Sequence, residues 1–241
     1  LPVRIFETDP DSKPRKRQKF DDDFAFRFRS GMSVLNPKTK KMEPTSLAEW
    51  RVTSGDPEVA ASIAQLYGGQ AQEWQTSKDD YLEVLTSRQT IEIVIDGSDA
   101  ITDKFILWGR SGPIHECDGV DFLSPDDLAG TPCGCPPLLA DRKAHARSGR
   151  GPSPHTRVVF RLADDYDLGV GSFQSTSFDL LMVLHEVRND LDAIGEPALC
   201  ELTLELVEYD TKAGRHVEYR KPVITVLKAY ADAIADDPFS K

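Results

Sequence analysis

The residues with the clearest capacity for chemistry are His115-Glu116-Cys117 and Cys133-Gly134-Cys135. Each motif offers two soft or borderline ligands one residue apart, and 15 residues without helical or strand periodicity separate the two motifs. Structural zinc is held tetrahedrally by Cys and His, usually as two short-spaced pairs brought together by a loop. His115, Cys117, Cys133 and Cys135 are therefore the expected metal ligands, with zinc as a structural ion. The loop has little apolar content, so metal binding would supply the folding energy that packing cannot. The one-residue spacing is tighter than the usual two to four. It leaves open that these are free loop thiols, or that His145 or His155 replaces His115 as fourth ligand. Cys200 precedes a strand pattern and reads as a core thiol.

Catalysis finds little support beside this loop. A catalytic zinc needs an open position and a general base. Glu116 lies between two candidate ligands but not in a His-Glu-x-x-His helix. Cys133-Gly134-Cys135 lacks the strand–motif–helix surroundings of a thioredoxin-like site. There is no Gly-x-Ser-x-Gly elbow, and His115, His145, His155, His185 and His216 fall in no triad context. Phosphate-cradling glycine loops are absent, and the Asp runs at 21–23 and 164–167 lack calcium-loop alternation. The expectation is a protein that is not an enzyme.

The charge is uneven. The 241 residues carry 29 Lys+Arg and 40 Asp+Glu, a net −11, which argues against a protein that mainly coats nucleic acid. Residues 1–41 nevertheless hold eleven bases and six acids, whereas the other 200 hold 18 and 34. A basic arm (Lys13, Arg15, Lys16, Arg17, Lys19) thus precedes an acidic body, and Arg27 and Arg29 could extend it as a stripe. Arg142, Lys143, Arg147 and Arg150 form a second basic patch directly after the cysteine loop. Both are candidate contacts for a protein partner or for DNA, and a solubilising tail is the plainer reading of the arm.

The elements that must position these residues follow from period and punctuation. Phe24–Arg29 alternates like a half-buried strand, and 30–46 reads as a loop. A short strand covers 47–53. Asp56-Pro57 starts a helix that Gly68-Gly69 stops. Residues 81–86 and 91–95 look like paired strands, 105–108 is another, and 109–136 has no periodicity. A short basic helix spans 137–148, and 149–155 is a Gly/Pro-rich linker. Strands follow at 158–162 and 170–174. The strongest helix is Ser177–Ile194, with Leu180, Leu184, Val187, Leu191 and Ile194 on one face and Gly195 at its end. Packing on a sheet is the plain role of that face, and docking against a partner's coiled coil the sharper one. Two strands, 202–209 and 216–227, flank a turn at 211–214. The expected class is α+β with mixed, mainly antiparallel sheets. The expected organisation is an arm (1–23), a domain at 24–148 containing the loop 115–135, and a domain at 157–241, the last two able to form one compact unit. The longest apolar run is five residues, Leu180–Leu184, far short of a membrane helix. With no secretory signal visible, a reducing cytoplasm is the expected setting.

Five segments carry a family resemblance: Pro2-Val3-Arg4-Ile5-Phe6-Glu7-Thr8-Asp9, Pro14-Arg15-Lys16-Arg17-Gln18-Lys19-Phe20, Glu49-Trp50-Arg51-Val52-Thr53, Leu107-Trp108-Gly109-Arg110 and Phe160-Arg161-Leu162-Ala163-Asp164. Over most of its length the chain resembles the recombination directionality factors of actinophages that carry large serine integrases. The resemblance implies no enzymatic activity and no reading of DNA sequence. It implies direct binding to the phage integrase on its attachment-site DNA, in the bacterial cytoplasm, by a factor that is monomeric when free. With such a factor bound, integrase recombines the hybrid prophage-end sites, and integration is inhibited. The integrase's coiled-coil arm is then the movable element, and its own serine does the chemistry. The alternative is a DNA-binding or phage replication-accessory protein acting through the arm. The zinc expectation rests on the residues alone.

Overall fold

The computed structural model describes residues 23–212, 214 and 216–236. Its class is α+β, with twelve strands joined in one forked sheet among the described residues. In chain order the elements are β1 (Phe26–Leu35), β2 (Met42–Ser54), α1 (Pro57–Tyr67), β3 (Ala71–Glu73), β4 (Leu82–Leu85), β5 (Thr90–Ile95), β6 (Ile101–Trp108), β7 (Pro113–Cys117) and β8 (Phe122–Ser124). Then come α2 (Leu139–Arg147), β9 (Ser153–Leu162), β10 (Gly171–Ser175), α3 (Phe178–Ile194), β11 (Ala198–Asp210), β12 (His216–Ala229) and α4 (Tyr230–Asp236). None of the described helices is long and apolar enough to cross a membrane.

The fork lies at β9. One edge of β9 pairs with β10. Its other edge is shared: Ser153–Val158 pairs with β6, while Arg161 and Leu162 pair with β5. One branch therefore runs β5–β11–β12 and the other β6–β7–β8. Every pair is antiparallel except β1 with β10. Strands from both sides of residues 149–152 thus belong to the same sheet.

Period-2 patterning places the core. Phe26 and Phe28 of β1, Trp50 and Val52 of β2, Phe160 of β9 and Phe173 of β10 are buried, and their strand neighbours face outward. The Phe28 ring meets Trp50 at 5.7 Å and Phe160 at 5.5 Å, edge to face. Leu180, Leu184, Val187 and Leu191 bury the expected face of α3, which packs against β9 and β12. Ser177 caps that helix by accepting from the Leu180 N–H, and Gly195 closes it in the left-handed conformation. Asp56 and Pro57 open α1 as expected.

Four segments depart from the sequence expectation. Residues 30–46 are not a loop: β1 runs to Leu35 and β2 starts at Met42, forming a long hairpin. Most of its residues stay exposed, so no alternation announces it. β4 and β5 do not pair. β4 joins β2 and β3, whereas β5 joins β9 and β11. Within 109–136, residues 113–117 and 122–124 are short strands. The expected linker is also shorter, because β9 begins at Ser153 and Gly151 is buried against His145.

Gly171 shows how tightly the β1–β10 seam closes. A Cβ there would stand 1.9 Å from Cε2 of the Phe26 ring. Gly171→Ala must displace a fully buried aromatic, so a loss of about 1–3 kcal/mol is expected in denaturant unfolding. A midpoint equal to wild type would show that the seam is looser than its geometry.

Candidate metal centre

His115 and Cys117 lie on β7. Alternate residues of a strand share one face, so the His-x-Cys spacing aims both side chains the same way. Cys133 and Cys135 flank Gly134, whose φ of +68° is a left-handed turn that favours glycine. The loop is folded back by backbone bonds: Cys133 N–H to the Val120 carbonyl, Phe122 N–H to Thr131 and Gly130 N–H to Phe122. The Asp118 carboxylate accepts the Val120 and Asp121 N–H groups and tightens the turn after Cys117.

The result is a four-residue group that could hold a metal ion. The ligand atoms of His115, Cys117, Cys133 and Cys135 all lie within 4.8 Å of one another. Cys135 Sγ is 3.5 Å from His115 Nε2. Bond lengths of about 2.0 Å to nitrogen and 2.3 Å to sulfur give a tetrahedral edge of about 3.5 Å, so this separation fits zinc. Cys117 and Cys133 are buried and the other two half-buried. Burial pushes the Cys117 thiol up to about 12, raises that of Cys135 and lowers the His115 imidazole. Without a cation Cys117 and Cys135 therefore favour the neutral thiol and His115 the neutral imidazole, and a bound cation would offset that preference.

Around the ligands sits a small satellite core. Phe105, Cys117 and Cys133 are its buried members, with Phe122, Phe178 and Leu181 packed beside them. Two of those three are candidate ligands, so little apolar area remains to fix the lobe. Arg142 donates to the Gly119 carbonyl and lies over the Phe105 ring at 5.3 Å. Lys143 pairs with Asp179 at the start of α3. Two of the four basic candidates on the 142–150 segment thus hold the lobe to the body, while Arg147 and Arg150 are exposed. Glu116 faces away from the cluster and pairs with Lys104 at 2.6 Å.

The other histidines stand apart. Neither His145 nor His155 belongs to the ligand group among the described residues. His145 packs on Gly151, and His155 contacts Gln174 on the outer face of the sheet. Cys200 is fully buried in the main core, and burial pushes its thiol up to about 12. Lys13, Arg15, Lys16, Arg17 and Lys19 lie outside the described residues. Arg27 and Arg29 project from the outer face of β1. There Arg29 binds Asp80 and Thr53, and Arg27 lies beside the Phe24 ring.

Sequence reasoning missed a concave surface. Arg27, Arg29, Arg51, Arg157, Arg220 and Lys221 line one cleft of about 1040 Å³, with Trp74, Trp108 and Tyr219. Its residues come from β1, β2, β4, β6, β9, β10 and β12 and from loops, so no local pattern signals it.

The family model Gp3-like, described as recombination directionality factor-like, matches residues 27–229. No solved structure matches the chain.

Proposed function

The chain belongs to the Gp3-like family of recombination directionality factor-like proteins, and from that membership we propose that it binds a phage-encoded large serine integrase inside the bacterial host and switches it from integration to excision. The family match over residues 27–229 carries this reading. The factor works by binding and leaves strand exchange to the integrase. A ligand with equal affinity for two arrangements shifts neither, so it must bind the excision-competent synapse better than the integrative one. Moving a two-state preference from 1:99 to 99:1 takes about 5.5 kcal/mol of differential contact, which a small docking surface can supply. An acidic body suits a protein that joins DNA-bound integrase without being captured by bare DNA.

Within this reading the ion is zinc, held by His115, Cys117, Cys133 and Cys135 in a structural role. Four protein ligands complete a tetrahedron and leave no open position. Zinc supplies a charge that keeps three thiolates ionised and a cross-link between β7 and the 133–135 turn. Arg142 and Lys143 then carry the pinned lobe against α3.

The test mixes the protein with its integrase and DNA carrying the two hybrid sites. Recombination of the hybrid sites is expected to depend on the protein, and joining of phage and host sites to be suppressed by it. Neither stimulation of the first nor inhibition of the second would overturn the assignment. Gel shifts with DNA alone form the companion measurement: strong, salt-sensitive binding without integrase would favour a DNA-binding accessory protein instead.

A further inference from the structure

The lobe gathered by the four candidate ligands keeps many of its apolar side chains outside. Six of the seventeen exposed large apolar side chains among the described residues fall within residues 113–139: Ile114, Val120, Leu123, Leu128, Leu138 and Leu139. Val120 is 71% exposed and Leu123 47%. Val120, Leu123 and Leu128 share the segment between Cys117 and Cys133, which backbone bonds fold into a knuckle. Cys133 N–H donates to the Val120 carbonyl, Gly130 N–H to Phe122 and Leu128 N–H to Pro125. Phe122 turns inward, with its ring centre 4.5 Å from that of His115. Leu123, the next residue of β8, turns outward and lines a second cleft of about 580 Å³ with Trp108 and Glu116. Clustered apolar exposure of this kind marks a surface that meets another molecule.

The charges on the knuckle have one sign. Residues 118–128 hold Asp118, Asp121, Asp126 and Asp127 and no Lys or Arg. None of these four carboxylates is in an ion pair among the described residues. The Asp121 and Val120 N–H groups hold the Asp118 carboxyl below its usual range, so it stays ionised. Glu116 does not count toward the surplus, because Lys104 pairs with it. Arg142 donates to the Gly119 carbonyl and offsets one of the four, which leaves three unmatched. Arg147 and Arg150, further along and past α2, pair with none of them.

These features select the occupant. The four carboxylates belong to no group that could hold a metal ion, so they do not converge on a single cation. They repel a phosphate backbone outright. A wholly apolar partner would cover Val120 and Leu123 only by desolvating carboxylates that gain no partner. A polypeptide segment that carries Lys or Arg beside an apolar face matches both the charge and the exposed side chains. The backbone bonds shape the knuckle before any partner arrives, so little ordering is lost on association.

We propose that the knuckle at 118–131 is a docking surface for a basic polypeptide segment with an apolar face, and that the recombinase supplies it. The second half of the statement rests on the reading of the protein as a recombinase-binding factor. Cations of the segment meet Asp118, Asp121, Asp126 and Asp127, and its apolar face covers Val120, Leu123 and Leu128.

Two double variants test the surface: Asp126→Lys with Asp127→Lys, and Val120→Ser with Leu123→Ser. All four side chains are exposed and lie outside both cores. Wild type and variants are titrated against the integrase, a synthetic Lys/Leu amphipathic helix and a DNA duplex. Unfolding midpoint and metal content are the folding controls, and sedimentation reports self-association. Wild type is expected to bind integrase and helix, more weakly as salt rises, and to leave the duplex free. Each variant is expected to lose about tenfold or more on both, with folding unchanged. If the serine pair disturbs the fold, the lysine pair decides, because the Asp126 and Asp127 side chains make no hydrogen bond among the described residues. Variants that bind integrase like wild type would overturn the surface and leave the functional assignment standing. A wild type that binds the helix but not the integrase would support the surface and overturn the assignment. A loss confined to a folded serine pair would overturn the choice of a basic segment. Self-association that both variants abolish would overturn the recombinase as its source in favour of a second copy of this chain.

Discussion

Cys133→Ser is expected to abolish metal binding and release the lobe between β6 and α2, while the main sheet stays folded. The expectation follows from how little else fixes the lobe. Its satellite core has three buried members, and two are cysteines of the ligand group. The side-chain ties are the Arg142 bond to the Gly119 carbonyl and the partly exposed Lys143–Asp179 and Lys104–Glu116 pairs, contributions on the order of 1 kcal/mol each. A structural zinc supplies about 10–16 kcal/mol in small zinc domains. Serine offers a hard hydroxyl in place of a thiolate, so one of four ligands is lost and the remaining burial no longer has its ion. The main core of Phe26, Trp50, Phe173 and Leu184 shares no buried member with the satellite. Elemental analysis should therefore fall from about one zinc per chain to none, with amide exchange rising across residues 115–135 and little changed in β9 and β11. Cys200→Ala is the control: that thiol is buried in the main core, so the variant keeps its metal. Wild-type protein free of metal, or Cys133→Ser with unaltered protection in the lobe, would defeat the zinc assignment.

How much of this was legible depended on whether the determining contacts were local. Helix α3 could be drawn from sequence because its stripe, its Ser177 cap and its Gly195 stop all lie within one segment. The metal group was legible for a similar reason. Strand geometry turns a His-x-Cys spacing into two side chains on one face, and a left-handed glycine does the same for Cys-x-Cys. The separation of residues 81–86 from 91–95 was not legible, because proximity in sequence suggested a hairpin where the chain instead crosses from the β2 side of the sheet to the β11 side. Trp50 and Thr86 bond on one side of this crossing, and Gln89 bonds Leu204 on the other. The β1–β2 hairpin hid for the opposite reason. A strand that projects beyond the core has no buried face, so its sequence carries glycine, proline and lysine rather than alternation. The cleft was out of reach altogether, since residues 27–51, 155–174 and 219–222 meet only in the folded sheet.

Trp50 tests that crossing directly, and Trp50→Ala is expected to give the largest stability loss of any single core truncation. The indole is fully buried and lies edge to face with Phe28 at 5.7 Å and Phe173 at 5.1 Å. Its Nε1–H donates to the Leu202 carbonyl at 3.2 Å, which ties β2 to β11 across the interior. Truncation removes the ring, leaves a cavity between β2 and β11 and removes the hydrogen bond that the indole gives to the Leu202 carbonyl. Large aromatic truncations cost about 3–5 kcal/mol, a large share of a domain's total stability of about 5–15 kcal/mol. Trp50→Phe separates the causes. It keeps much of the ring contact and loses the donor, so about 1–3 kcal/mol is expected from the lost hydrogen bond and partial void. Urea unfolding followed by circular dichroism measures both. Equal, small losses would mean that Trp50 does not bridge β2 and β11. Arg51, the next residue along β2, points the other way into the cleft and holds Glu83 at 2.6 Å. A cavity at position 50 therefore loosens the strand that carries one side of that cleft. Gly171→Ala, at the β1–β10 seam, provides a comparison at a different part of the same core.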